Sequence, residues 1–253
     1  MKQGILLLSA ILVPMSATLA ASDVEQRYTR SADAMAAAKS SGWSGSVGLG
    51  AVVTSGNTET TNLSGDAVAK LDQENWRHKF EAAALLTEDK GTKTAERYMA
   101  GYKVDYKLDA RSYLFTALRA EFDKFSGFDE QLSATAGYGY RVLDSQSDTL
   151  DLEIGAGVRQ NKFNNGNTES ESVGRAALDY IHRFSGGNAE FRQGILVLAG
   201  ENNTSVDSVS AIRANLISSI AMEAALKIKH NSDPMEDREN TDSITSLSLV
   251  YGF

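Results

Sequence analysis

A chain of 253 residues with no cysteine and only two prolines carries no disulfide scaffold, zinc–thiolate centre, thiol nucleophile or cysteine-linked lipid anchor. Its formal charge of -8 argues against a general nucleic-acid binder, since such proteins are usually basic. Length alone permits one large domain or two modest ones.

The chain opens with Lys2, an apolar run from Gly4 to Val13, and Thr18-Leu19-Ala20, which puts small residues at both positions that a signal peptidase inspects. This pattern predicts a signal peptide over residues 1–20, cut after Ala20, and therefore export. No later stretch approaches the ~20 consecutive apolar residues of a transmembrane helix. Residues 21–42 are polar and alanine-rich, as in a short helix or a loose periplasmic tail.

From Trp43 onward the pattern is strict alternation, the mark of strands with two unlike faces. Around the fourth segment Tyr98, Ala100, Tyr102, Val104, Tyr106 and Leu108 share one face, while Arg97, Gly101, Lys103, Asp105 and Lys107 share the other. The same rhythm sets Leu152, Ile154 and Val158 against Asp151, Glu153 and Arg159, and Met222, Leu226 and Ile228 against Glu223, Lys227 and Lys229. A one-sided soluble sheet also alternates. Here, however, the strands run to roughly 10–14 residues, against about 5–6 in ordinary sheets and about 9–11 needed to cross a bilayer. Regular helix signals are missing after residue 41, so nothing is available to cover a sheet face. Aromatic residues also gather near strand ends (Trp43, Trp76, Tyr98, Tyr106, Tyr138, Tyr140, Tyr251), as interfacial girdles do.

In lipid every backbone group must be paired, so an all-strand membrane protein must close on itself. The expected fold is an all-β, closed antiparallel transmembrane barrel over residues 43–253, after the signal peptide. About twelve strands are read, at 43–54, 60–71, 75–87, 95–108, 112–123, 130–143, 149–161, 171–184, 188–199, 207–217, 220–231 and 242–253. Connections after odd-numbered strands read as long and polar, and those after even-numbered strands as short. That asymmetry is expected when both termini lie in the periplasm. A soluble β-sandwich is the competing fold.

The last segment puts Leu247, Leu249, Tyr251 and Phe253 on one face and ends on an aromatic residue. Such a row is the expected barrel-assembly signal, taken up by the assembly machinery through strand addition. The expected partners are that machinery, periplasmic chaperones during biogenesis and outer-membrane lipid, with no nucleic acid. The expected location is the bacterial outer membrane.

In order and spacing, several fragments resemble the salt-induced outer-membrane protein family typified by YdiY. They are Thr54-Ser55-Gly56-Asn57-Thr58, Tyr113-Leu114-Phe115, Ala136-Gly137-Tyr138-Gly139-Tyr140, Gly155-Ala156-Gly157-Val158-Arg159 and Asn231-Ser232-Asp233-Pro234. The resemblance covers most of the chain after the signal peptide and implies an outer-membrane barrel. It brings no catalytic or binding residues, because the family has no established mechanism.

No catalytic, cofactor or metal site is read. His78, His182 and His230 all fall on the row assigned to lipid, near strand ends, where interfacial rings are expected. A phospholipase barrel would need an outward Ser–His pair with an orienting third group, and Ser232 beside His230 has none in the sequence. Asp233, Glu236, Asp237, Glu239 and Asp242 lack the spacing of a calcium loop and read as a solvated acidic connection. Asn57 and Asn167 read as turn residues.

The inward row is the informative one. It is expected to present Arg97, Lys103, Asp105, Lys107, Arg119, Glu121, Asp151, Glu153, Arg159, Glu223, Lys227 and Lys229 to the lumen, as a salt-bridged plug or the lining of a narrow wet pore. One bulge could invert this parity. The functional expectation is a non-enzymatic envelope barrel, either a narrow channel or a structural component. The alternatives are an outer-membrane hydrolase of lipid or peptide, and a recognition barrel with acidic loops.

Overall fold

The computed structural model describes residues 42–253 apart from 55–59, 124–127, 164, 186, 218 and 234–239. The expected signal peptide over 1–20, nearly all of the expected tail over 21–42, Asn57 and most of the acidic connection lie outside the described residues. The described chain is built from β1 (Trp43–Thr54), β2 (Thr60–Asp72), β3 (Trp76–Asp89), β4 (Thr92–Lys107), β5 (Ser112–Asp123) and β6 (Phe128–Asp144). It continues through β7 (Asp148–Phe163), β8 (Thr168–Arg183), β9 (Ala189–Gly200), β10 (Thr204–Ile217), β11 (Ile220–Asn231) and β12 (Thr241–Gly252).

Every strand pairs antiparallel with its sequence neighbours, and β12 returns to β1 to close the barrel. Beyond the ladder, Gly45 and Phe253 exchange two backbone hydrogen bonds, at 2.9 and 3.0 Å. The C-terminal residue is thereby stitched into the seam. This is the twelve-strand all-β architecture that the alternation demands.

The outward rows are apolar as expected. Leu49 and Ile154 stand 69% and 68% exposed, an arrangement that water would penalise and hydrocarbon would not. Near the end that carries the termini, Phe80 stacks on Trp43 (centroids 6.1 Å) and meets Tyr102 at a tilt (4.8 Å), and Trp76 meets Tyr106 at 4.9 Å. These rings form one arc of an interfacial girdle.

Several strands run two or three residues further than the alternation indicated, mostly toward the rim opposite the termini, here called the distal rim. Backbone pairing continues there through polar residues, while alternation marks only the stretch with one apolar face. The expected contrast between long and short connections is therefore lost at several sites. The sharpest correction is between β3 and β4, where Lys90 and Gly91 alone make the turn. Their φ values of 51° and 77° suit a two-residue hairpin whose twist matches its strands.

Register shifts occur at Thr87/Glu88, Phe128/Glu130, Arg141/Leu143 and Asn215/Ile217, all near strand ends. The central stretch of each strand keeps its parity. The inward row is thus continuous around the barrel.

Candidate functional site

The twelve charged residues assigned to the lumen occupy the strand faces opposite the exposed apolar rows. They sort into two layers. The distal layer is centred on Glu121 of β5, whose carboxylate receives Arg97 from β4, Arg119 at 2.6 Å and Lys229 from β11 at 3.2 Å. In a ring of twelve strands β5 and β11 stand six places apart in either direction, so the Lys229–Glu121 pair spans the lumen. Arg97 also lies 3.5 Å from Asp123.

A second tie crosses above that layer. The Arg159 guanidinium on β7 bonds Glu171 at 2.7 Å, the Ser205 hydroxyl at 3.2 Å and the Asn203 carbonyl at 2.6 Å. It joins β7 and β8 to the start of β10 and the turn before it.

The proximal layer, nearer the termini, is centred on Glu153 of β7. It accepts from Lys103 at 2.5 Å, the Tyr113 hydroxyl at 2.9 Å and Arg175 at 3.3 Å. Asp105 pairs with Arg77 at 2.5 Å and Lys103 at 2.9 Å, and Asp151 with Arg141 at 2.8 Å. Cations also flank two rings: Arg77 and Lys103 lie 5.1 Å from the Tyr113 centroid, and Lys103 and Arg175 lie 5.2 Å from that of Phe115. Each contact is favoured by the ring quadrupole. Glu223 binds Arg213 at 2.7 Å, Lys107 reaches Asp72 at the terminal end, and Lys227 shares the inward row of β11 with Glu223 and Lys229.

Part of the interior is tightly packed. Arg97 is 1% exposed and Arg192 is 0% exposed. Burial of a charge is costly unless it is paired, and here Arg97 meets Glu121 and Asp123 while Arg192 meets Glu190. Beneath the distal mouth lies a cavity of about 30 Å³ bordered by Arg119, Glu121, Arg159, Asp207 and Lys229. A single water needs about 10–15 Å³, so the space suits about two or three waters and not an organic solute.

Reading by charge alone missed three parts of this interior. Tyr113 and Phe115 point inward on the same odd-numbered row of β5 as Arg119 and Glu121, so parity could have found them. Gly139 gives the Tyr113 ring its seat, since a Cβ there would lie 2.2 Å from the ring. Finally, Leu196, Leu198, Val209 and Ala211 form an apolar wall on β9 and β10, where a polar lumen was expected.

Among the described residues none of the three histidines is paired with a serine hydroxyl. The Nδ1 atoms of His78, His182 and His230 lie 2.9 Å from the Tyr102 hydroxyl, Asp148 and the Thr241 hydroxyl, respectively. Ser147 bonds the same Asp148 carboxylate rather than the ring, so no Ser–His pair forms there. Ser232, the serine nearest His230 in sequence, donates to Asn203 instead. Among the described residues no group of His, Asp and Glu side chains has the placement of a metal site. In the turn between β4 and β5, Asp109 accepts from the Ser112 hydroxyl and from the amides of Arg111 and Ser112, which holds its carboxyl below the usual carboxylate range.

Residues 47–253 match the family described as "Protein of unknown function, DUF481". The chain belongs to that family. A relative from Escherichia coli (strain K12), "Uncharacterized protein YdiY", is 29% identical over 208 residues, or 82% of each chain. The resemblance read from the sequence fragments therefore holds. Among solved structures the fold is similar to the NanC porin, with a TM-score of 0.52, 8% identity, and coverage of 82% of this chain and 98% of that one. It is similar to the COG4313 outer membrane channel from Pseudomonas putida F1, with a TM-score of 0.52, 11% identity, and coverage of 85% and 96%. At these identities the likeness is one of fold, that of bacterial outer-membrane barrels.

Proposed function

We propose that this protein is a non-enzymatic barrel of the bacterial outer membrane that rests closed, an envelope component rather than a standing diffusion pore. The observation that carries this reading is the Lys229–Glu121 pair, which bars the lumen at 3.2 Å between opposite strands. Outer-membrane location draws on the fold and on the sorting signals at both ends of the sequence. The row Leu247, Leu249, Tyr251 and Phe253 is what the assembly machinery would take up, after periplasmic chaperones deliver the chain. Both termini then lie in the periplasm, and the distal rim faces outward.

A narrow, gated channel is the second reading. It is favoured by the small cavity under the distal mouth, with Arg119, Arg159 and Lys229 among its walls. Planar-bilayer recording separates the two: purified, folded protein is expected to give no stepwise conductance, and steady steps in the unmodified protein would replace the closed reading by the channel. For the enzymatic question, the protein is expected to release no fatty acid from phospholipid and to cleave no unfolded peptide. An activity that disappears when His78, His182 and His230 are all replaced by Ala would overturn the non-enzymatic reading.

A further inference from the structure

The outward face of β9 and β10 departs from the rest of the barrel. Gln193 of β9 and Ser208 and Ser210 of β10 all lie on the outward row, since their chain neighbours Arg192, Val209 and Ala211 are the buried, inward ones. The Gln193 amide donates to the Ser208 hydroxyl at 3.0 Å and accepts from the Ser210 hydroxyl at 2.5 Å. It also donates to the Gly194 carbonyl at 3.2 Å.

This cluster sits inside the apolar band and not at its edge. Along its own row Gln193 falls between Phe191 and Ile195, and the serines fall between Val206 and Ile212. Across the β10–β11 ladder Ser208 faces Ile228 and Ser210 faces Leu226. Three mutually bonded polar side chains thus form a cluster among mostly apolar outward groups, where Thr116 of β5 stands as a single hydroxyl between Leu114 and Leu118.

Hydrocarbon offers such groups no partner, and burying them without full hydrogen bonding is costly. Their mutual bonds use part of their capacity: a primary amide has two donors and an acceptor with two lone pairs, and each hydroxyl both donates and accepts. Both Gln193 amide hydrogens are spent on Ser208 and Gly194, so the remaining capacity is the Ser208 hydroxyl donor together with acceptor lone pairs on Gln193 Oε1 and Ser210 Oγ, and a second copy of the same patch can match donor to acceptor. A two-fold contact brings the same patch of two copies together, so a self-complementary patch satisfies itself. Between membrane segments polar side chains act as this kind of glue.

We infer that the outward face of β9 and β10 is the interface through which two copies of this chain associate side by side in the membrane, with Gln193, Ser208 and Ser210 at its centre. The inference rests on the outer-membrane reading, without which the cluster would simply be solvated. Its test runs on the full chain expressed and assembled in outer membranes.

The chain has no cysteine, so a single introduced one reports one place. Ile212→Cys stands outward beside the cluster, and Leu118→Cys stands outward on β5, five strands away. Treatment of membranes with a short bis-maleimide is expected to double the mass of the Ile212→Cys protein and to leave the Leu118→Cys protein single. Adding Gln193→Leu, Ser208→Val and Ser210→Val to the Ile212→Cys chain is expected to lower the doubled band roughly tenfold, the size of effect that losing a few such hydrogen bonds gives. The heat-dependent gel shift reports folding in every sample. Should the triple replacement fail that control, Gln193→Leu alone is read in its place, with a smaller drop expected.

Equal cross-linking at both cysteines, none at Ile212→Cys, an adduct of another mass, or a doubled band that survives the folded replacement would each overturn the interface. Failure of the outer-membrane reading is distinguishable, since the protein would then be missing from the outer-membrane fraction before any cross-linker is added.

Discussion

At the scale of single residues, the lumen depends on a few side chains that each serve several partners. Glu121 holds three cations, two of them 2.6 and 3.2 Å away. Glu121→Gln removes the charge and leaves those cations facing one another in a buried site, where breaking an ion pair costs about 3–5 kcal/mol. The expected result is a folded barrel whose urea midpoint in lipid vesicles falls well below that of the unmodified protein. Gly139→Ala acts by another route: the new methyl would lie 2.2 Å from the Tyr113 ring, so the ring must leave its seat and its bond to Glu153. Overpacking of this kind costs about 1–3 kcal/mol, and the double change Gly139→Ala with Tyr113→Leu, read by the same titration, should recover part of the loss. At the surface, Asp109 gives a pH prediction with a definite sign. Its folded carboxyl is held below the usual carboxylate range, so its contribution is present above the ordinary value of about 3.9 and is lost as pH falls through the lower folded value. Amide exchange at Arg111 and Ser112 should therefore stay slow below about pH 4 and become fast across the whole range in Asp109→Ala, which removes the acceptor. The charges of the site were legible in the sequence because alternation gives them a side. Tyr113 and Leu196 were not read as inward, since an apolar side chain suits the lipid row and a packed lumen alike and composition does not distinguish them.

At the scale of elements, every strand was legible as an alternating segment, but the distal ends were not. Pairing through Thr92-Lys93-Thr94 at the start of β4 has no apolar face to betray it, and the Lys90–Gly91 hairpin shows itself only once the strands are long enough to meet there. The seam between β1 and β12 is a further feature that periodicity does not encode. Its ladder joins Ser46 through Gly50 to Gly252 through Ser248, whereas β1 pairs β2 along its whole length from Trp43 to Thr54. Fewer backbone bonds must break to part that seam, and local opening follows the weakest set of bonds. Hydrogen exchange on the folded protein in detergent is therefore expected to be fastest among strand amides at Val47, Leu49, Leu249 and Tyr251, with the β6–β7 ladder slowest. Removing Phe253 deletes the two backbone bonds to Gly45 and should speed exchange along the seam while leaving β6 and β7 unchanged. Uniform exchange around the ring would show that the seam is no weaker than its neighbours.

At the scale of the whole molecule, the proposed closed state rests on two layers of ion pairs along the lumen, and this arrangement makes a stronger prediction than the silence of the unmodified protein. The distal layer gathers at Glu121 and the proximal layer at Glu153, and a permeating ion would have to pass both. Truncating the large cations of one layer should then leave the other intact. Arg97→Ala with Lys229→Ala thins the distal layer, and Glu121 keeps Arg119 at 2.6 Å, so the carboxylate is not stranded. Lys103→Ala with Arg175→Ala thins the proximal layer, and Glu153 keeps the Tyr113 hydroxyl at 2.9 Å. Barriers in series are limited by the higher one, so each double variant is expected to stay silent in planar bilayers. The quadruple variant, once its heat-dependent mobility shift shows it folded, is expected to give stepwise conductance. With four cations gone, the acidic residues Glu121, Asp123, Glu153 and Asp207 weigh more heavily in the lumen, and rings of like charge select their counter-ions. The reversal potential in a KCl gradient should therefore lie toward potassium. Conductance in either double variant would show that a single layer does all the sealing, and a silent, folded quadruple variant would place the seal in the apolar wall of Leu196, Leu198 and Val209 instead.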